Sequence, residues 1–174
     1  MEDHRYPIGK FTPHKEMTDA QRRDCIRKIE ETPGRIREAV RGLGDAQLDT
    51  PYRDGGWTLR QVVHHLADSH LNGYVRFKLG ATEEGPTLKT YDEKLWAGTA
   101  DARTLPVEPS LRLLESLHLR WVTFLRSLPG ADFKRKCLHP ENGPIDLEFL
   151  LSLYSWHGKH HEGHITGLRG RNGW

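Results

Sequence analysis

Trp156-His157-Gly158-Lys159-His160-His161-Glu162-Gly163-His164-Ile165 is the stretch from which the fold is read, and it holds four histidines within eight positions. Its surroundings place it on a helix. Leu147, Leu150, Leu151, Leu153, Tyr154, His157, His161, Ile165 and Leu168 recur largely at three- and four-residue steps, the spacing of one helical face. Asp146 stands where an N-cap belongs, and Gly170 and Gly173 close the pattern. Residues four apart on a helix lie one above the other, separated by about one 5.4 Å turn. His157/His161 and His160/His164 are therefore each spaced to grip one divalent ion from one side. A mononuclear catalytic site usually takes three protein ligands and leaves a position open. The third ligand is expected from His64-His65, in a second apolar segment. Seven of the eleven histidines fall in these two segments (64, 65, 70, 157, 160, 161 and 164).

Three further helical patterns lead up to the last one. Thr18, with Gln21 three positions on, has the form of a capping box ahead of Ile26, Ile29, Ile36, Val40 and Leu43. Pro33-Gly34 either kinks that helix or divides it, and Gly44 is expected just past its end. Residues 45–56 read as a connection. Thr58 and Gln61 form a second capping box before Leu59, Val62, Leu66 and Ser69, and the helix should run to about residue 80. Gly73 within it suggests the close approach of another backbone. Residues 81–109 form a long crossover with a short helix near 92–97. Glu108-Pro109-Ser110 opens the third long helix, with an apolar face from Leu111 to Leu128 that includes Leu113, and Pro129-Gly130 ends it. Residues 129–145 read as an irregular link, and residues 1–17 as an extended lead-in. With no alternating strand pattern, the expected fold is all-α: a four-helix bundle with long connecting loops, residues 1–174 forming one domain.

Composition excludes several classes. The net charge is only +2, so bulk electrostatics point to no nucleic-acid partner. Cys25 and Cys137 have no partners at zinc-finger spacing, so neither a disulfide framework nor a thiolate metal site is indicated. No signal-peptide pattern and no run approaching the roughly 20 apolar residues of a membrane span is present. A soluble cytoplasmic protein without a membrane partner is expected.

The helix faces narrow the choice of ligands. His157 and His161 continue the core stripe of the last helix, whereas His160 and His164 follow from Leu153 and Trp156 on the neighbouring stripe. On the second helix His65 shares a face with Val62, Leu66, Ser69 and Gly73, while His64 falls with Arg60, Gln61 and Asp68 on what reads as a solvated side. The faces favour His65, His157 and His161, with His160 and His164 as alternatives at the rim. A lone histidine on an apolar face is usually a hydrogen-bonded core residue. Three of them, buried without partners, would each cost about 1–3 kcal/mol, a cost that a metal removes. The string is not an HExxH metalloprotease signature, because the next histidine follows Glu162 by two positions, not three.

The segment Pro51-Tyr52-Arg53-Asp54-Gly55-Gly56-Trp57-Thr58-Leu59-Arg60-Gln61-Val62-Val63-His64-His65-Leu66-Ala67-Asp68-Ser69-His70 resembles the YfiT group of the DinB-like superfamily, as do Arg5-Tyr6-Pro7-Ile8-Gly9, Tyr91-Asp92-Glu93 and Trp156-His157-Gly158-Lys159-His160-His161. That resemblance covers nearly the whole chain. It implies a four-helix bundle that binds one zinc or nickel ion through three histidines, zinc ahead of nickel. In the superfamily one ligand follows the tryptophan of a Gly-Trp-Ser/Thr helix start by eight positions and precedes an aliphatic residue, which here is His65 before Leu66. The HxxxH pair of the last helix carries over to His157 and His161. The resemblance further implies a candidate metal-dependent hydrolase acting on a small molecule, and a homodimer. Related members transfer groups to a low-molecular-weight thiol such as bacillithiol. Both chemistries suit the donor set, since three neutral imidazoles leave zinc its full charge and an open position, which lowers the pKa of bound water to about 7 or holds a thiol as thiolate. A metal-binding protein without catalysis is the third reading. No general base stands out, and Asp68, Glu162 and Asp92 are the carboxylates placed to orient a ligand imidazole. Trp57 and Trp156 flank the ligand segments. Arg53, Arg76 and Lys78 carry no assigned role.

Overall fold

Helices begin where the sequence supplies side chains to cap them. A computed structural model of the protein describes residues 4–14 and 16–174; residues 1–3 and 15 of the lead-in lie outside the described residues. In chain order it contains α1 (Asp19–Ala39), α2 (Asp45–Leu48), α3 (Leu59–Thr82), α4 (Glu93–Ala97), α5 (Ala100–Thr104), α6 (Glu108–Ser127), a 3-10 turn (Gly130–Lys134), strands β1 (Lys136–His139) and β2 (Gly143–Asp146), and α7 (Leu147–Asn172). Thr18 and Thr58 cap α1 and α3, each in a reciprocal box with the glutamine three residues on. Asp146 Oδ1 accepts the Phe149 N–H at 2.9 Å at the start of α7. The N-terminal turn of α6 lacks a side-chain cap and carries Pro109 instead, whose missing N–H would have had no helical partner there.

The long helix α1 runs unbroken through Pro33-Gly34. Pro33 supplies no N–H to the carbonyl four residues back, that of Ile29. Gly44 is not the residue past the end of α1. It is the N-cap of α2, and the left-handed position after α1 is Gly42, at φ +76°. Residues 129–145 are more ordered than an irregular link: β1 and β2 pair antiparallel, with Cys137 opposite Ile145. Residues 86–88 join them, Leu138 N–H donating to Pro86 O and Leu88 N–H to Leu138 O. The crossover of residues 83–107 carries α4, the short helix expected near 92–97, which Asp92 caps, and also α5, which was not expected.

The four long helices form the bundle. α1 packs on α6 and α7, and α3 packs on the same two helices. Around the bundle the order is therefore α1, α7, α3, α6, so that α1 faces α3 across the interior. Two apolar clusters fill it. One gathers Ile29, Phe77, Trp121, Leu147 and Tyr154; the other gathers Ile36, Leu59, Leu66, Leu114 and Ile165. Between the two, each long helix contributes polar or cyclic residues: Thr32 and Pro33 from α1, His70 from α3, His118 from α6, His157 and His161 from α7. Two glycines let the helices close at this level. A Cβ on Gly73 would lie 2.4 Å from Tyr154 Cζ, so the close neighbour there is an aromatic ring and not a backbone. A Cβ on Gly158 would lie 2.5 Å from Thr32 Oγ1. Leu113, expected on the apolar face of α6, is exposed.

Candidate metal centre

The second turn of α3 and the middle of α7 bring His65, His157 and His161 together, with one ligand nitrogen from each lying within 4.8 Å of the others. The one-turn spacing on α7 sets the His157 and His161 ring centroids 4.5 Å apart, and His65 faces both at 5.3 and 4.8 Å. Nε2 of His65 and Nε2 of His157 are 3.3 Å apart. Two ligand nitrogens at a tetrahedral angle on an ion bound at about 2.0–2.1 Å lie about 3.3–3.4 Å apart, so this pair is spaced as metal ligands are. Burial keeps all three rings neutral. It pushes His65 down from 6.5 to about 4 and holds His157 and His161 well below their ordinary value. Neutral imidazoles are the form that binds a divalent ion. The donor set and its spacing fit such an ion.

The neighbouring histidines have other work. His164 Nδ1 lies 3.2 Å from His161 Nδ1, and its Nε2 donates to Arg5 O at 3.2 Å. Tyr52 stacks on the His164 ring, and Trp156 on that of His160. Both histidines are buried and not at a rim. His160 Nδ1 has no hydrogen-bond partner among the described residues. His64 and Arg60, read as a solvated face, are buried as well. His64 Nε2 donates to Leu105 O, and its Nδ1 lies 2.7 Å from Ser110 Oγ. Arg60 reaches Asp49, Asp45 and the same Leu105 carbonyl. The Leu105 contacts tie α3 to the crossover and the Asp45 and Asp49 contacts tie it to α2, neighbours that the helical wheel of α3 alone does not reveal.

No carboxylate touches the triad's outer nitrogens among the described contacts. Asp92 caps α4, Glu162 faces Arg35 at 3.7 Å, and Asp68 is half-buried, its carboxyl pushed up to about 6 chiefly by burial. The partner of His157 Nδ1 is instead His70 Nε2, at 3.1 Å, and His70 Nδ1 meets His118 Nε2 at 2.8 Å. His118 was missed in the sequence. Its only signal there is a polar residue on the stripe between Leu114 and Trp121. Trp57 packs its ring 4.7 Å from that of His65. Of the three cations without an assigned role, Arg76 donates to Tyr154 Oη and Lys89 O, Arg53 lies over Tyr52, and Lys78 lies over Phe124.

The pattern that defines the DinB superfamily matches residues 28–165, a span that contains all three histidines of the triad. The chain belongs to the DinB superfamily. Proteins of Bacillus cereus and of Bacillus thuringiensis subsp. konkukian, both named as candidate metal-dependent hydrolases, are each 51% identical to it over 174 residues, the full length of both chains. Among solved structures, YfiT from Bacillus subtilis superposes with a TM-score of 0.96 at 49% identity over 99% of each chain. It is described as a candidate metal-dependent hydrolase with an unusual four-helix bundle topology. This DinB-superfamily chain shares that bundle. No helix among its described residues is long and apolar enough to cross a membrane.

Proposed function

We propose that the protein is a metal-dependent hydrolase of a small-molecule substrate, with His65, His157 and His161 holding one divalent ion, zinc ahead of nickel. The observation that carries this reading is the convergence of three neutral imidazoles from two helices within 4.8 Å. The hydrolase designation of relatives identical at half of all positions supports it. An ion held by three neutral ligands with a position left open lowers the pKa of water at that position to about 7. The chain's own residues set the conditions for that chemistry. His65 and His161 are buried, and the Trp57 ring beside His65 keeps solvent from that side.

The test begins with metal content, measured on protein purified without a histidine tag. About one zinc per chain is expected, lost in His65→Ala, His157→Ala and His161→Ala and kept in His64→Ala. Ester and amide substrates are then assayed with and without a low-molecular-weight thiol. Turnover without thiol supports hydrolysis, and turnover that requires thiol replaces hydrolysis by thiol transfer. No bound zinc, and no uptake of added zinc or nickel, overturns the reading.

A further inference from the structure

Two main-chain carbonyls reach the candidate metal centre through imidazoles. Ile29 O lies 2.6 Å from His118 Nδ1. A carbonyl can only accept, so His118 carries its proton on Nδ1. A neutral imidazole has one N–H, which leaves His118 Nε2 bare. The nitrogen facing it at 2.8 Å, His70 Nδ1, must then donate, leaving His70 Nε2 bare. His157 Nδ1, 3.1 Å from that atom, must donate in its turn. The one nitrogen of His157 left with a free lone pair is Nε2, the atom 3.3 Å from His65 Nε2. His161 is fixed from the other side in the same way. Arg5 O accepts from His164 Nε2, so His164 Nδ1 is bare; His161 Nδ1 donates to it, and the lone pair of His161 stays on Nε2.

We propose that the His118–His70 pair and His164 are positioning residues that lock His157 and His161 in the tautomer presenting Nε2 to the ion. This proposal rests on the metal-centre reading above. Pro33 accounts for the start of the longer relay. In α1 the N–H that would bond Ile29 O belongs to residue 33, and proline has none, so that carbonyl is open to His118. His70, His118 and His164 are buried, and no carboxylate lies against them among the described contacts, surroundings in which an imidazole stays neutral. Most ligand histidines lean on a carboxylate, a carbonyl or water. Here the acceptors touching both α7 ligands are uncharged imidazoles. They orient the rings without offsetting the charge of the ion.

Long-range nitrogen–proton correlation of the imidazoles in the zinc-loaded protein reads the tautomers directly. The expected result is protons on Nδ1 of His70, His118, His157 and His161, a proton on Nε2 of His164, and zinc on Nε2 of His157 and His161. The second arm is zinc affinity. His118→Leu cannot donate to Ile29 O or accept from His70, and should weaken zinc binding about 10–100-fold. His118→Gln can do both, and should recover most of that loss. A merely structural role would lower thermal stability in these variants but leave zinc affinity and the His157 tautomer unchanged. Zinc bound through Nδ1 of His157, or wild-type zinc affinity in His118→Leu, overturns the relay alone. Failure of the wild-type protein to take up zinc overturns the metal centre and the relay together.

Discussion

Adding one methyl group at Gly158 tests whether the closeness of α1 and α7 beside the candidate metal centre is real. A Cβ there would meet Thr32 Oγ1 at 2.5 Å and Thr32 Cγ2 at 2.7 Å. The first distance is about 0.9 Å inside the 3.4 Å at which contact becomes ordinary. Thr32 cannot simply turn away, since it is buried and its hydroxyl donates to Lys28 O at 2.9 Å. Overpacking costs about 1–3 kcal/mol, and an overlap this deep falls at about 2–3 kcal/mol. Alanine is the better helix former by about 1 kcal/mol, so the net destabilisation of Gly158→Ala should be about 1–2 kcal/mol. In a domain of this size that lowers Tm by about 2–8 °C. Thr32→Ala alone should cost about 1 kcal/mol, for a lost hydrogen bond and a buried methyl. Combined, the two should interact favourably by about 1–2 kcal/mol, because the second change removes the atoms that the first one strikes. Urea unfolding of the four proteins of this cycle measures the coupling. Gly158→Ala as stable as the parent, or a strictly additive cycle, would refute the packing argument.

Acid should weaken the fold through His118. Its folded value of about 4 lies below the ordinary 6.5, so the unfolded chain binds more protons between these limits. Stability from this group is complete above about pH 6.5 and falls by about 3 kcal/mol as the pH drops toward 4. Denaturation at several pH values, beside His118→Gln, should show a shallower acid dependence in the variant, and equal slopes would count against it. Removing the ion with a chelator should lower Tm in the parent. Zinc at 100 times its Kd contributes about 2.7 kcal/mol, and His161→Ala should show no zinc-dependent rise. Arg60→Ala leaves Leu105 O and the Asp45 and Asp49 carboxylates without their shared donor. Leu105 O keeps the His64 Nε2 donor and both carboxylates are solvated, so the cost should be only about 1 kcal/mol, with faster proteolysis of the crossover; cleavage as slow as in the parent would show that Arg60 does not anchor it.

Much of the fold was written in local signals. The Thr18/Gln21 and Thr58/Gln61 boxes and Asp146 need only neighbouring residues to act, and each starts a helix where the sequence placed it. The His157/His161 pair and the face of His65 follow from helical periodicity, and the structure brings these three together. What stayed hidden depends on contacts across the fold. Strands of four residues, one holding Pro144, offer too little alternation to be read, and the hairpin is held in part by residues 86–88. Arg60 and His64 look solvated on a helical wheel until the crossover folds over them. His118 and Pro33 lie 85 positions apart in the sequence. Only packing shows that the amide missing from one leaves a carbonyl for the other.

The layer of histidines between the two apolar clusters also bears on how the bundle comes apart. Apolar contacts bind each cluster internally, but across the layer the helices are joined by imidazole hydrogen bonds and by whatever His65, His157 and His161 hold. Such a plane is where cooperativity is weakest, and the clusters on either side are natural units of partial opening. An ion bound there bolts the two units together. Amide hydrogen exchange should then find a single protected body in the zinc-loaded protein and two bodies, opening at different free energies, once zinc is withdrawn. The ion would serve the architecture as a clasp as well as the chemistry as an acid.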